Sequence, residues 1–167
     1  MKKTIIIILT LIGFLAFGQE SDIDRINNEV KSIESDSTLV ETQFDLGQLM
    51  GVTKYGSGYI KVWGNKKQIF KIVKLTGLSY GRLRTIIYLN NGIPIKIIET
   101  EKNFGYINGK MNFKELNEVF KVTIHIFDWE KEDYKIVQTG KRVLSEGSYS
   151  KFDYEEIIKS VKKATEE

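Results

Sequence analysis

Apolar residues recur at two different periods along this chain, and each change of period marks a change of element. Ile23, Ile26, Val30 and Ile33 fall three or four apart, which puts them on one face of a helix over Asp22 to Ser35, with Ser21 or Asp22 placed to cap it. Tyr154, Ile157, Ile158, Val161 and Ala164 repeat that spacing near the other end, where Asp153 and Glu156 stand as a capping box. Both helices are amphipathic and are expected to pack on a sheet. Between them the period falls to two. Val40, Thr42, Phe44 and Leu46 alternate with polar residues, as in a half-buried strand. Further strands are predicted near 49–55, 58–64, 68–76, 82–90, 93–101, 120–128 and 133–139. Gly56-Ser57-Gly58, Gly64-Asn65, Asn91-Gly92 and the acidic run Asp128 to Asp133 supply the turns. Asn112 and Glu115 have cap spacing for a short helix over Phe113 to Phe120. The expected architecture is α+β: an antiparallel, twisted sheet of about seven or eight strands in a meander of hairpins, with an N-terminal and a C-terminal helix. Its core should hold Ile60, Val62, Phe70, Ile72, Ile86, Ile97, Ile124, Ile126 and Ile136 with the helix stripes.

A weak repeat runs through the strands. Lys71-Ile72-Val73, Lys96-Ile97-Ile98 and Lys135-Ile136-Val137 each place Lys-Ile before a β-branched residue, at unequal spacings that exclude a regular solenoid. One hairpin is legible residue by residue. Asn91-Gly92 suits a two-residue turn with positive φ at both positions. That turn sets Arg82 opposite Glu101, Arg84 opposite Glu99, Ile86 opposite Ile97 and Tyr88 opposite Ile95, so cross-strand ion pairs account for both arginines. Pro94 has no N–H to donate to a further neighbour, so this strand is expected to be an edge there or to have its pairing interrupted.

The first residues change the picture. Lys2-Lys3, an apolar run from Ile5 to Phe17, and Ala16-Phe17-Gly18 before Gln19 are the n-region, h-region and cleavage site of a secretory signal peptide over 1–18. The run falls short of the about 20 residues of a bilayer span, so a signal anchor is the lesser reading. The chain has no cysteine, which excludes a lipoprotein anchor, disulfides and cysteine-ligated zinc. The expected address is the periplasm or the medium, with residues 19–167 as one α+β domain. Lys+Arg number 25 and Asp+Glu 22 in the full chain; loss of Lys2 and Lys3 leaves 23 against 22. A nearly neutral mature chain gives no electrostatic case for nucleic acid or an anionic membrane.

Motifs that carry chemistry are few. Gly77-Leu78-Ser79-Tyr80-Gly81 matches the nucleophile elbow, but that device needs a helix after the serine, and Arg82 to Leu89 read as a strand. His125 is the only histidine, so a histidine-rich metal site is excluded. Asp128, Glu130, Glu132 and Asp133 offer oxygens without the glycine of a calcium loop. No cofactor or metal is expected. Tyr80, Arg82 and Arg84 have the chemistry of an anion or glycan site, since arginine binds in bidentate fashion and aromatic rings stack on sugars. Tyr55, Tyr59 and Trp63, with Lys61, Lys66 and Lys67, form an aromatic and basic cluster suited to a partner or a polysaccharide.

Gly77-Leu78-Ser79-Tyr80-Gly81-Arg82, Tyr88-Leu89-Asn90-Asn91-Gly92 and Gly140-Lys141-Arg142 together resemble a group of small secreted β-rich proteins of Bacteroidetes-type bacteria. The likeness runs from about Ile33 to Val143. It implies an exported β-rich domain and carries over no catalytic residue. Thr85-Ile86-Ile87 and Ile93-Pro94-Ile95 depart from the group's aromatic-rich strand.

The function these observations favour is an exported, non-enzymatic binding or interaction module. Its ligand residues would be drawn from Tyr80, Arg82, Arg84, Tyr59 and Trp63, and its partner would be a protein, a glycan or an envelope lipid. Two alternatives stand beside it: a small periplasmic hydrolase using Ser79 or a carboxylate pair with raised pKa, and a lipid-carrying half-barrel.

Overall fold

The computed structural model describes residues 21–51, 57–145 and 150–166. The chain divides into two compact units, Met1–Asp36 and Ser37–Glu167. The predicted leader, 1–18, lies outside the described residues. In the first unit, helix α1 covers residues 21–35. Arg25 reaches back one turn to Asp22 at 3.2 Å, and the Ser35 hydroxyl donates to the Lys31 carbonyl at 2.9 Å where the helix ends.

The second unit is a seven-stranded antiparallel sheet with two helices. Its strands are β1 (Val40–Asp45), β2 (Gly58–Gly64), β3 (Ile69–Leu78), β4 (Gly81–Asn90), β5 (Ile93–Ile107), β6 (Lys110–Asp128) and β7 (Asp133–Gly140). They pair in chain order, β1 to β7, as the predicted meander. Helix α2 (Leu46–Met50) follows β1 directly, and α3 (Lys151–Glu166) closes the unit.

Local chemistry sets the boundaries, and several differ from expectation. Leu49 and Met50 belong to α2 rather than to a strand over 49–55. The Asp45 side chain accepts from the Gln48 amide at 3.0 Å, and Gly51 ends the turn at φ 65°. Residues 52–55 of that predicted strand lie outside the described residues. Helix α3 starts two residues before Asp153, with the Asp153 amide donating to the Ser150 carbonyl at 3.1 Å. Residues 113–120 are not helical but part of β6, paired with β5 through Leu116 and Glu118. The two residues read as a helix cap do interact: Asn112 Nδ2 donates to Glu115 Oε2 at 3.3 Å, and Asn112 Oδ1 accepts from the Lys114 amide at 3.2 Å. They close a bulge instead, because β5 lies alongside to receive the strand.

The Lys-Ile repeat is a register. Ile72, Ile87, Ile97, Ile124 and Ile136 stand side by side across β3 to β7, and Lys71, Tyr88, Lys96, His125 and Lys135 form the adjacent row on the opposite face. The isoleucine row faces α3. Tyr154, Ile157, Ile158 and Val161 of α3 are buried with Ile60, Val62, Ile72, Ile87, Leu89, Ile97, Phe120, Val122, Ile124 and Ile126 in one cluster. Each such side chain contributes about 2 kcal/mol by leaving water. Two predicted core positions differ, and a third is buried away from α3. Ile86 is buried on the opposite face, beside Val73 and Ile98. Phe70 is the extra residue where β2 and β3 slip at Gly64, and is half-buried. Ile136 is partly exposed because β7 is an edge strand.

The Asn91-Gly92 turn forms with φ 51° and 77°. Leu89 then pairs with Pro94 and Asn90 with Ile93, the register that a two-residue turn sets. One step further the register slips. Tyr88 pairs with Lys96, leaving Ile95 as the extra residue of a bulge next to Pro94. From there Arg84 stands opposite Thr100, Thr85 opposite Glu99 and Leu83 opposite Glu101. The predicted Arg82–Glu101 and Arg84–Glu99 pairs therefore do not form. A one-residue slip sends the two carboxylates to the helix-covered face and the two arginines to the other.

Candidate functional site

Tyr59, Trp63, Arg82 and Arg84 share the face opposite α3. They are spread over it rather than gathered in one place. Tyr59, Leu75 and Arg84 form one row, and Trp63 lies in another beside Lys71. The Lys71 ammonium sits 4.5 Å from the Trp63 ring centre, and Lys61 lies 5.8 Å from that of Tyr59. Lys61 also donates to Glu41 at 2.6 Å, and that hydrogen bond holds its pKa above the usual lysine value. Tyr55 lies outside the described residues.

Arg82 has structural partners the sequence did not suggest. Its Nη1 donates to the carbonyls of Leu78 at 3.0 Å and Gly81 at 2.8 Å, and its guanidinium lies 5.0 Å from the Phe104 ring centre. It closes the Ser79-Tyr80 turn and anchors the next strand. Ser79 itself is exposed on that two-residue turn, and β4 follows it, so no nucleophile elbow exists. His125 pairs with Lys96, which pairs with Tyr88, seven residues along β4 from Gly81 and so roughly 23 Å away. Burial, then Lys96 and Lys135 on either side, push the His125 pKa below its ordinary value. The Asp128 carboxylate is occupied by the Lys131 ammonium at 2.8 Å and by the Glu130 and Lys131 amides. The Lys131 hydrogen bond keeps its pKa low. Among the described residues there is no cluster able to hold a metal ion.

The two glutamates displaced by the Ile95 bulge meet Arg142, which follows β7. Arg142 bonds to Glu99 and lies 3.4 Å from Glu101 Oε1, with its guanidinium 4.4 Å from the Phe120 ring centre. Glu101 is 1% exposed. Its carboxylate also accepts from the Ser145 hydroxyl and from the amides of Val143 at 2.8 Å and Leu144 at 2.9 Å. Burial alone would raise its pKa; the Ser145, Leu144 and Val143 hydrogen bonds and the Arg142 charge outweigh it and hold the carboxyl below its usual range. A carboxylate pair poised for acid–base work needs the opposite shift. The cluster is a latch that ties residues 142–145 to the sheet. Beside it lies a cavity of about 260 Å³, lined by Lys74, Thr76, Thr85, Glu99 and the α3 residues Asp153 and Glu156. Desolvation pushes the Lys74 pKa down against the attraction of Asp153, Glu99 and Glu156.

A run of exposed apolar side chains lies elsewhere. β4 pairs with β5 only as far as Asn103, and β7 pairs with β6 only from Phe120. Residues 104–119 therefore extend past both neighbouring strands as a two-stranded arm. The Asn108-Gly109 turn closes it at φ 51° and 76°, a second hairpin signal of the same kind as Asn91-Gly92. Tyr106, Ile107, Phe113 and Leu116 are exposed along it, Phe113 to 67%. The Phe113 ring meets Phe104 edge to face at 5.1 Å, and the Phe104 amide donates to the Tyr80 carbonyl at 3.0 Å. Tyr80 and Arg82 thus stand at the base of an aromatic surface, of which Phe113 and Leu116 fall in the segment expected to be helical.

At the far end of α3 a second groove, about 870 Å³, is lined by Phe44, Val62 and Ile69 and rimmed by Lys66, Lys67 and Lys162. No described helix is long and apolar enough to cross a membrane. No protein-family model, curated protein or solved structure matches the chain.

Proposed function

We propose that this chain is an exported, non-enzymatic interaction module that engages a partner protein through the β5–β6 arm. The observation that carries this reading is the arm's surface: Tyr106, Phe113 and Leu116 are exposed along it, and Tyr80 is exposed on the turn at its base. A hairpin presenting aromatic side chains is the chemistry of a protein interface, whose energetic centres are rich in tyrosine and other large side chains. Arg82, already committed to two carbonyls and Phe104, contributes to the base of the patch rather than to anion capture. Export rests on Lys2-Lys3 and the apolar run Ile5 to Phe17, and the likeness to small secreted β-rich proteins agrees with it.

The test uses photo-crosslinking in envelope preparations, with the crosslinker at Phe113 or, as control, at Glu41 on β1. A discrete adduct from position 113, lost when Tyr106 and Leu116 become serine while thermal unfolding is unchanged, supports the reading. Equal adducts from both positions overturn it. Cell fractionation with and without the apolar run tests export.

A second reading, carriage of an anionic amphiphile, is favoured by the groove that combines Phe44, Val62 and Ile69 with a rim of three lysines. Native mass spectrometry of the protein purified from its host decides it: a co-purifying acidic lipid lost on Lys66→Glu and Lys162→Glu supports carriage, and a bare protein mass rules it out.

A further inference from the structure

Among the described residues, β7 is the longer of the sheet's two edge strands, eight residues against six in β1. It pairs with β6 on one side, and every residue from Asp133 to Gly140 is exposed, Val137 to 51%. Its outer backbone groups are a template for another strand. Residues 133–141 read Asp-Tyr-Lys-Ile-Val-Gln-Thr-Gly-Lys, with one acidic end and one basic end. We propose that two copies of this chain pair antiparallel through β7, with the two-fold axis at Val137.

The register follows from face and charge. A two-fold axis normal to the sheet keeps each side chain on its own face, so only registers centred on a residue are allowed. Centring on Lys135 sets that ammonium against its own copy. Centring on Gln138 sets Lys135 against Lys141. Centring on Ile136 leaves Asp133 opposite Thr139. Centring on Val137 alone sets Asp133 opposite Lys141 twice and uses the whole strand. It also places Tyr134 opposite Gly140, where an aromatic ring covers a bare glycine, and Val137 against Val137 on the other face. The remaining edge, β1, is six residues long; centred on Gln43 it would oppose Glu41 to Asp45, two acids.

Edge pairing alone buries a small area, so a weak, concentration-dependent dimer is expected. Sedimentation of the mature chain over a wide concentration range measures it. Asp133→Lys or Lys141→Glu alone should weaken association about tenfold, and the double variant should restore it. Because the chain has no cysteine, Val137→Cys should give a covalent dimer under mild oxidation, whereas Gln43→Cys on β1 should not. Val137→Lys, at an exposed site that spares the fold, should leave a monomer. A wild-type chain that stays monomeric throughout, a dimer that survives Val137→Lys, or a double variant as weak as the singles overturns the proposal.

Discussion

Glu101 and Arg142 are 41 residues apart in the chain and 3.4 Å apart in the fold. The pair exists because the bulge at Ile95 turns Glu101 onto the face that the chain crosses after β7. Glu101→Gln should therefore cost roughly 3 kcal/mol, since it removes the buried charge that accepts from the Val143 and Leu144 amides and leaves Arg142 with Glu99 as its acidic partner in the latch. Denaturant unfolding measures the loss. Hydrogen exchange locates it: the Val143 and Leu144 amides should exchange faster than those of β5, and unchanged protection there would refute the latch. The folded Glu101 pKa lies below its ordinary value. The stability it contributes is thus complete above the unfolded carboxylate range and is lost as pH falls through the folded value. Glu101→Gln should flatten the acid limb of the stability curve.

His125 has a dependence of the same sign at higher pH. Burial and the two flanking lysines depress its pKa, so the folded state binds its proton less readily than the unfolded chain. Stability should be unaffected above the unfolded histidine value and should fall as pH drops below it. Thermal midpoints near neutrality and in mild acid, compared between wild type and His125→Gln, check this. The variant should lose less over that interval, and equal losses would remove His125 from the account.

Lys74 is held among the residues of the 260 Å³ cavity at a desolvation cost. Lys74→Met keeps the length and apolar stem without the buried charge. It should raise stability by about 1 kcal/mol, read as a higher denaturation midpoint. A fall of that size would mean that Asp153, Glu99 and Glu156 need the ammonium more than burial penalises it.

Two glycines separate backbone strain from packing. Gly109, at φ 76° on the arm's turn, has nothing near a prospective Cβ, and Gly109→Ala should cost about 1 kcal/mol. Gly140, at φ 72°, would place a Cβ 2.0 Å from the Val119 carbonyl oxygen. Gly140→Ala should cost roughly 3 kcal/mol and loosen the β6–β7 pairing. Equal costs would show that conformation alone decides both positions.

The order of strands, the amphipathic stripe of α3 and the Lys-Ile repeat were legible because they depend on residue spacing. Ile72, Ile97 and Ile136 line up across the sheet since each sits at the same phase of its strand. The Asn91-Gly92 turn was legible for the same reason, and Asn108-Gly109 carried an equally clear signal that the helix reading of 113–120 obscured. What spacing does not encode is an insertion of one residue into a ladder. The bulge at Ile95 depends on a proline beside a turn and on two neighbouring strands that must both be paired. It moved Glu99 and Glu101 to the other face and replaced local ion pairs with a long-range latch. Likewise Asn112 and Glu115 interact at the spacing that suggested a helix, but the presence of β5 makes the interaction a bulge. The sequence by itself determined most of the strands, their order, the α1 and α3 helices and the alternation within each strand, because those follow from period and turn chemistry. Only the tertiary structure decided register beyond a bulge, the extent of the arm, and which carboxylates share an arginine, because each depends on what a neighbouring strand offers across a gap of many residues.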